Sequence, residues 1–446
     1  MGEHPVHSKT GDALAPDDIA ANFDDLHPPL NAEQVSIEAS RCLFCHDAPC
    51  VTACPTSIDI PKFILQIATG NLTGSARTIL SANIMGGTCA RACPTEILCE
   101  NKCVLNTGEH DPIEIGALQR HAVDHQIAKD GPHPFARAKE SGKTIAIIGA
   151  GPAGLACAHA LATKGHTVEI FEAREKPGGL NEYGLAAYKM ANDFAAREIG
   201  FILEVGGITI HYGQALGRDI AFNDLQTRFD AVFMGIGLGK ARTLGIEGEN
   251  LDGVRDALHF IEDIRQAENL AQINPGQNVV VIGGGNTAID AAIQAKRLGA
   301  GHVALVYRRG RAQMGATQWE QDLAAINGVA IYLWSKPIRI EGKGKVQSIS
   351  FEGTRLENGA LVGTGQVHTA PAHCVLKAVG QSLHDAGLAS LACAHGKITV
   401  DQAGQTSLPG VFAGGDCIAS GEDLTVQAVQ DGKMAAAGIH AYLGDK

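Results

Sequence analysis

Apolar and polar positions along this chain fall into a strand rhythm and a helix rhythm that change over at glycine-rich turns. Lys143 to Ile148 is an apolar run of strand length, followed by Gly149-Ala150-Gly151-Pro152-Ala153-Gly154, a helical stretch to Lys164, and a second strand, Thr167 to Phe171, ending at Glu172. The same grammar returns at Asn278 to Ile282, with Gly283-Gly284-Gly285-Asn286-Thr287-Ala288, a helix to Leu298 and a strand from His302 to Tyr307. Two such strand–turn–helix–strand units predict two mononucleotide-binding folds and hence two dinucleotides.

Phe229 to Gly239 and His373 to Gly380 read as strands running into glycines, where the chain would cross between the two dinucleotide domains. Leu408 to Gly432 then reads as the end of the first domain, with the second inserted inside it. Ahead of Lys143 only short helical patterns occur, such as Ile60 to Ala68 and Ile115 to Ile127. Asp130 to Lys143, with Pro132, Pro134 and Gly142, reads as a linker.

Composition narrows the class. A chain of 446 residues with 45% hydrophobic content can bury two or three cores. Lys and Arg total 36 against 48 Asp and Glu, a net charge of -12, which argues against nucleic acid or an anionic membrane as partner. Met1 to Leu30 is polar and acidic, with no basic n-region and no apolar h-region, so secretion is not supported. Gly2 opens a myristoylation pattern, but Val6 stands where that motif needs Ser or Thr. No apolar run is long enough to span a bilayer. A soluble cytoplasmic protein is expected, and there thiols stay reduced.

That changes the meaning of the cysteines. Eight fall in two batches, Cys42-x2-Cys45-x4-Cys50-x3-Cys54-Pro55 and Cys89-x3-Cys93-Pro94-x5-Cys99-x3-Cys103. Closely spaced thiolates followed by a distant one, with Cys-Pro pairs, fit ferredoxin-type ligation of two 4Fe-4S clusters, where the cysteine before proline serves the other cluster. Structural zinc would favour two tidy Cys-x2-4-Cys pairs instead. Spacing alone makes Cys89 the eighth ligand.

At the first dinucleotide unit, Gly149, Gly151 and Gly154 let backbone N–H groups and a helix N-terminus approach a pyrophosphate, with Pro152 and Ala153 opening the helix. Glu172 can accept hydrogen bonds from the adenosine ribose. Together with Gly415-Asp416, this predicts FAD, with Asp416 toward the ribityl and phosphate region and the helix after Thr425 aimed at the isoalloxazine. The second unit, with Gly284, Gly285, Asn286 and Thr287, ends in Tyr307-Arg308-Arg309 where the first has its glutamate. Arginines there can pair with a 2'-phosphate, so NADP(H) is favoured over NAD(H), although a solvated basic loop has the same composition. Gly179, Leu180, Lys189, Ala378, Val379 and Gly380 complete the expected cofactor-binding set. No Cys-x-x-Cys lies in the second unit, and Cys157, Cys374, Cys393 and Cys417 are isolated, so electrons are expected to leave through the N-terminal cysteines. None of the 18 histidines sits in a ligand spacing, and no hydrolytic triad competes.

From about Arg41 onward the chain resembles the electron-input half of dihydropyrimidine dehydrogenase, and most closely the stand-alone NAD(P)-dependent subunit of the bacterial enzyme. The small subunit of glutamate synthase has a similar layout. His46-Asp47-Ala48-Pro49-Cys50 and Ile115-Gly116-Ala117-Leu118-Gln119 look like the pyrimidine family. That resemblance implies one cluster on Cys42, Cys45, Cys50 and Cys103, and another on Cys54, Cys93, Cys99 and Gln119, with Cys89 left over. A neutral amide in place of a thiolate would favour the reduced cluster. The resemblance also implies a further arginine a few residues beyond the Arg308–Arg309 pair to hold the 2'-phosphate, but the matching position is Gly315, which leaves the choice between NADP(H) and NAD(H) open.

The expected fold class is α/β. A helical domain with both clusters covers 1–140, an FAD domain covers 141–240 and 380–446, and an NAD(P)H domain covers 241–379. Hydride would pass from the nicotinamide to FAD and single electrons into the clusters, with no catalytic acid or base. The chain ends at Lys446 without an FMN-binding barrel, so a separate FMN and iron-sulfur subunit that reduces uracil or thymine to 5,6-dihydropyrimidines is the implied partner. The alternatives are a glutamate synthase small subunit and a non-catalytic redox module.

Overall fold

The computed structural model describes residues 14–383, 388 and 390–444. Gly2, Val6 and Lys446 lie outside them. The chain forms two compact units. One comprises His27–Glu182, Asn192–Lys240 and Ser382–Lys446; the other comprises the chain up to Leu26, Tyr183–Ala191 and Ala241–Gln381.

The first unit begins with helices Ala32–Ser40, Pro49–Ala53, Ile60–Ala68, Leu72–Ala82, Gly86–Ala92 and Ile115–Ile127. Short polar caps start them: Asn31 and Gln34 form a capping box, and Asn71 accepts from Gly74 N at 2.9 Å. Each such cap satisfies backbone donors that the helix itself leaves unpaired. Ile60, Phe63, Ile64 and Ile67 face inward on one helix, and Leu118, Ala122 and Val123 on another, as their spacing requires. They share one core with Ile145, Leu155, Phe233 and Ile439. The helical half is therefore packed onto the sheet half of the same unit, and Phe135 of the expected linker packs against that core.

Its sheet half is five parallel strands in the order Val411–Ala413, Ala231–Met234, Thr144–Ile148, Thr167–Phe171 and Ile208–His211. Ile145 pairs with Val168 on one side and Ala231 on the other. Helix Pro152–Thr163 packs closely against helix Thr425–Gly444, and a Cβ at Gly432 would meet the Ala153 carbonyl oxygen at 2.2 Å. Only glycine permits that approach.

The second unit holds another five-stranded parallel sheet, ordered Val254–Asp256, Cys374–Ala378, Asn278–Gly283, His302–Val306 and Ala330–Tyr332. Beside it lies an antiparallel sheet of Ser335–Gly342, Val346–Glu357 and Ala360–Pro371. The expected 1–140 domain needs one correction. Helix Pro16–Asn22 belongs to this second unit, where Leu14, Ile19 and Phe23 enter the core around Phe260 and Ile289. Asn22 Nδ2 donates to the Arg297 carbonyl at 2.9 Å, and Arg297 Nη1 returns a bond to Asn22 O at 2.8 Å. Sequence order put that helix with the cysteines; its apolar face put it elsewhere.

Candidate functional site

The eight clustered cysteines surround two cavities, four to each. Cys42, Cys45, Cys50 and Cys103 line the first, with Leu43, Ile60, Ile64 and Val104 as walls. Cys54, Cys89, Cys93, Cys99 and Gln119 line the second, with Ile58, Leu98 and Val426. Helix Pro49–Ala53 performs the sorting: Cys50 lies in its first turn and Cys54 follows its end, so thiols four residues apart serve opposite cavities. Gln119 sits on helix Ile115–Ile127, and its Nε2 donates to the Gly86 carbonyl at 2.6 Å, which leaves the amide oxygen for the cavity.

Burial pushes these thiols up: Cys50 to about 11, with Cys42 and Cys99 moved in the same direction for the same reason. Cys93 rises chiefly because it is hydrogen-bonded to Cys89, and then through burial. Such thiols ionise when a cation displaces the proton, so loading is linked to proton release. Among the described residues, no group of three or more His, Cys, Asp or Glu gathers closely enough to hold a single metal ion. Sulfurs ringing a void suit a polynuclear cluster better than one zinc ion.

The glycine turn of the first sheet has the geometry of a pyrophosphate cradle. Gly149 takes φ +97°, and a Cβ there would lie 2.5 Å from the Gly235 carbonyl oxygen. Helix Pro152–Thr163 has no side chain capping its N-terminus, so its first N–H groups are available to an anion. Glu172 is buried at the end of Thr167–Phe171; its carboxylate accepts from Ala150 N at 2.7 Å and Arg174 N at 2.9 Å. Gly151 and Gly179 face each other at this turn. Asp416 is raised to about 6, by burial first and then by Asp423. Gly415 N donates to Asp431 Oδ2 at 3.0 Å, and Thr425 Oγ1 donates to Asn181 Oδ1 at 2.8 Å beside Leu180.

Residues 143–432 match the pyridine nucleotide-disulphide oxidoreductase family, and residues 19–131 match dihydropyrimidine dehydrogenase domain II, 4Fe-4S cluster. The chain belongs to the pyridine nucleotide-disulphide oxidoreductase family. Within it, the chain is 36% identical over 421 residues to the NAD-dependent dihydropyrimidine dehydrogenase subunit PreT of Escherichia coli K12, covering 94% of this chain and 97% of that one. It is 33% identical to the small chain of the NADPH glutamate synthase of the same organism, covering 94% of each. Among solved structures, Mycobacterium tuberculosis FprA in complex with NADPH has a TM-score of 0.57 at 21% identity, over 68% of this chain and 85% of that one. Lactococcus lactis thioredoxin reductase has 0.55 at 22%, over 68% and 100%. The kinship expected from the cysteine block and Gln119 is borne out, as is the α/β class. This family member is an oxidoreductase, with a 4Fe-4S domain ahead of a flavin and NAD(P) domain. No helix among the described residues is long and apolar enough to cross a membrane.

The family's second glycine turn lies in the other unit. Gly283 has φ +157° and a Cβ there would meet the Ala378 carbonyl oxygen at 2.3 Å, while Gly285 has open space. Asn286 and Thr287 open helix Asn286–Arg297, again with no side-chain cap. Ala378 ends strand Cys374–Ala378, Val379 and Gly380 follow, and Gly380 takes φ +93°. Arg308 and Arg309 follow strand His302–Val306 and line an open cleft with Lys336, Thr354 and Val362. Lys189 also lies in this unit, where its ammonium pairs with Asp290 at 2.8 Å and with Glu320. The sequence reading missed Lys336, because the antiparallel sheet that carries it was missed.

Proposed function

We propose that this chain oxidises NAD(P)H and passes the electrons through FAD and two 4Fe-4S clusters to a separate FMN-containing subunit that reduces uracil or thymine. Val426 carries the reading: it lines the second cysteine cavity one residue after Thr425, which bonds Asn181 beside Leu180. One helix start thus touches both the iron cavity and the flavin turn. Flavin bound there would accept a hydride from reduced nicotinamide and release its electrons singly to iron-sulfur centres.

The protein's own part is binding and alignment. Gly149, Gly151 and Gly154 admit the pyrophosphate, Glu172 serves the ribose, and Asp416 serves the ribityl chain. The N-terminal end of helix Thr425–Gly444 supplies positive potential. Cys42, Cys45, Cys50 and Cys103 would hold the outer cluster; Cys54, Cys93, Cys99 and Gln119 the inner one, with Cys89 as a buried neighbour. Arg308 and Arg309 favour NADP(H). The PreT relatives support the partner assignment by their name alone.

Anaerobically purified protein should carry iron and acid-labile sulfide, and NADPH should bleach its flavin absorbance rapidly. Uracil-dependent NAD(P)H oxidation should arise only when the FMN subunit is added. A second reading has the comparable match to the glutamate synthase small chain in its favour. Glutamine- and 2-oxoglutarate-dependent turnover with that enzyme's large chain, and none with the pyrimidine partner, would replace the first reading with the second. A flavin that NADPH cannot bleach would leave a non-catalytic module.

A further inference from the structure

Glu198 lies on helix Phe194–Leu203 in the sheet half of the first unit, and it is fully buried. Its Oε1 accepts from Gly87 N at 2.8 Å and Thr88 N at 3.0 Å, and its Oε2 accepts from the Thr88 hydroxyl. These donors open helix Gly86–Ala92, which carries Cys89 and delivers Cys93 to the second cavity. Gly86 is the residue whose carbonyl holds Gln119. One residue along the same helix, Ile199 abuts the flavin turn, where a Cβ on Gly178 would lie 3.1 Å from Ile199 Cδ1.

Space at this corner is reserved for the carboxylate. A Cβ on Gly87 would meet Phe194 Cζ at 2.4 Å and Glu198 Oε1 at 2.8 Å. Arg91 lies 3.4 Å over the Phe194 ring, donates to the Gly87 carbonyl at 3.0 Å, and is neutralised by Asp124 at 2.7 Å. Arg91 therefore does not cancel the Glu198 charge outright. A buried acid with three donors is costly to keep unless its charge or its contacts are needed.

We propose that Glu198 is a positioning residue for the inner iron-sulfur cluster: it fixes the start of the cysteine helix and, through its negative charge, makes that cluster harder to reduce. The proposal rests on the ligand reading above. Burial raises the carboxyl to about 7, so it is ionised at pH 8. Arg91, paired with Asp124, is the charged side chain that acts on it; of the other helices packed against Phe194–Leu203, Pro152–Thr163 carries His159 and Cys157, and Ile115–Ile127 carries His121 and His125. His159 is lowered to about 3 and Cys157 is raised well above its usual value, both by burial, so neither changes charge near pH 7.

The test is an EPR-monitored redox titration of the intact protein at pH 8, with the inner signal assigned by its loss in Cys93→Ser. Glu198→Gln should make the inner cluster about tenfold easier to reduce, a shift of about 59 mV for one electron, and leave the outer one unchanged. Both clusters present with the inner midpoint unmoved would overturn the proposal. Native protein with no inner cluster would overturn the ligand reading instead. Should the glutamine variant fail to load iron, the native protein decides. Its inner midpoint must fall as pH rises above about 7, because there Glu198 is ionised and an added electron is partly matched by a proton taken up from solvent at that carboxylate, whereas below that pH the carboxyl already holds its proton. A flat profile overturns the proposal.

Discussion

Alanine at Gly154 forces a Cβ to 2.0 Å from the Gly149 carbonyl oxygen and 3.2 Å from Ile147 Cγ2. The offended atom is backbone, so no rotamer relieves it, and helix Pro152–Thr163 must lift from its strand. Overpacking of this kind costs about 1–3 kcal/mol, from which up to ~1 kcal/mol of helix propensity is recovered. That leaves a net loss of up to ~3 kcal/mol, and with an unfolding entropy of about 2.1 cal/mol/K per residue each kcal/mol is worth about 1 °C in a chain of 446 residues, so the deflavinated variant should melt early by up to roughly 3 °C. Gly151→Ala makes the opposite case. Gly151 has φ -78°, and its Cβ would meet nothing nearer than Gly179 Cα at 3.9 Å. Stability should change by less than about 0.5 kcal/mol, yet the methyl occupies the approach to the helix N-terminus. Losing one or two hydrogen bonds to a charged phosphate, about 1.5–3 kcal/mol each, should weaken FAD binding by at least roughly tenfold. Thermal unfolding of the deflavinated proteins and flavin fluorescence quenching on titration separate the two effects. Native FAD affinity in Gly151→Ala, or native stability in Gly154→Ala, would refute the reasoning.

Cys89→Ser should leave the iron content of the anaerobically purified protein unchanged, whereas Cys93→Ser should remove about half of it; iron analysis reversing that order would reinstate Cys89 as a ligand. Arg308→Ala should raise the Kd for NADPH about tenfold by removing a charge-assisted bond and leave the Kd for NADH alone, and equal losses in equilibrium titrations would defeat the 2'-phosphate assignment. Glu198 has its carboxyl raised from 4.5 to about 7 by burial. Its contribution to folding is therefore complete below about pH 4.5 and lost as pH rises through about 7. Relative to native, apo Glu198→Gln should gain up to ~3 kcal/mol between those limits, and a pH-independent difference in urea midpoints would contradict that sign.

The parallel sheets were legible because both strand–glycine–helix signals are local. Strand Thr167–Phe171 and helix Ile115–Ile127 fall where periodicity put them, and Asn278–Gly283 differs by one residue. The antiparallel sheet was not seen, although its turn is written in the chain: Asn358 and Gly359 take φ 50° and 80° between two twelve-residue strands. Asn-Gly at such a turn is a strong hairpin signal. Its flanks, though, are Gly- and Thr-rich with outward polar residues, so the strand period was too faint to flag. Helix Pro16–Asn22 was misassigned for a different reason: seven residues carry no address, and only the fit of Ile19 and Phe23 to their core selects a partner.

The cysteine block shows where a sequence stops and a fold begins. Two batches of four suggest two clusters of four, yet the cavities are not filled batch by batch: Cys103 joins Cys42, while Cys54 joins Cys93 and Cys99. That exchange follows from a five-residue helix that turns Cys50 and Cys54 apart, which the Cys-Pro pair hinted at without fixing. Cys89 and Gln119 both line the inner cavity, so spacing and geometry together leave two candidates for one position. What separates them is commitment. Cys89 is a buried thiol, whereas Gln119 is anchored by its nitrogen to Gly86 with its oxygen left over. Gly86 in turn opens the helix that Glu198 grips. Gln119, the cysteine helix and the turn at Gly178 thus form one mechanical chain, and on the proposed ligand set moving any link should register at the inner cluster before it registers at the outer one.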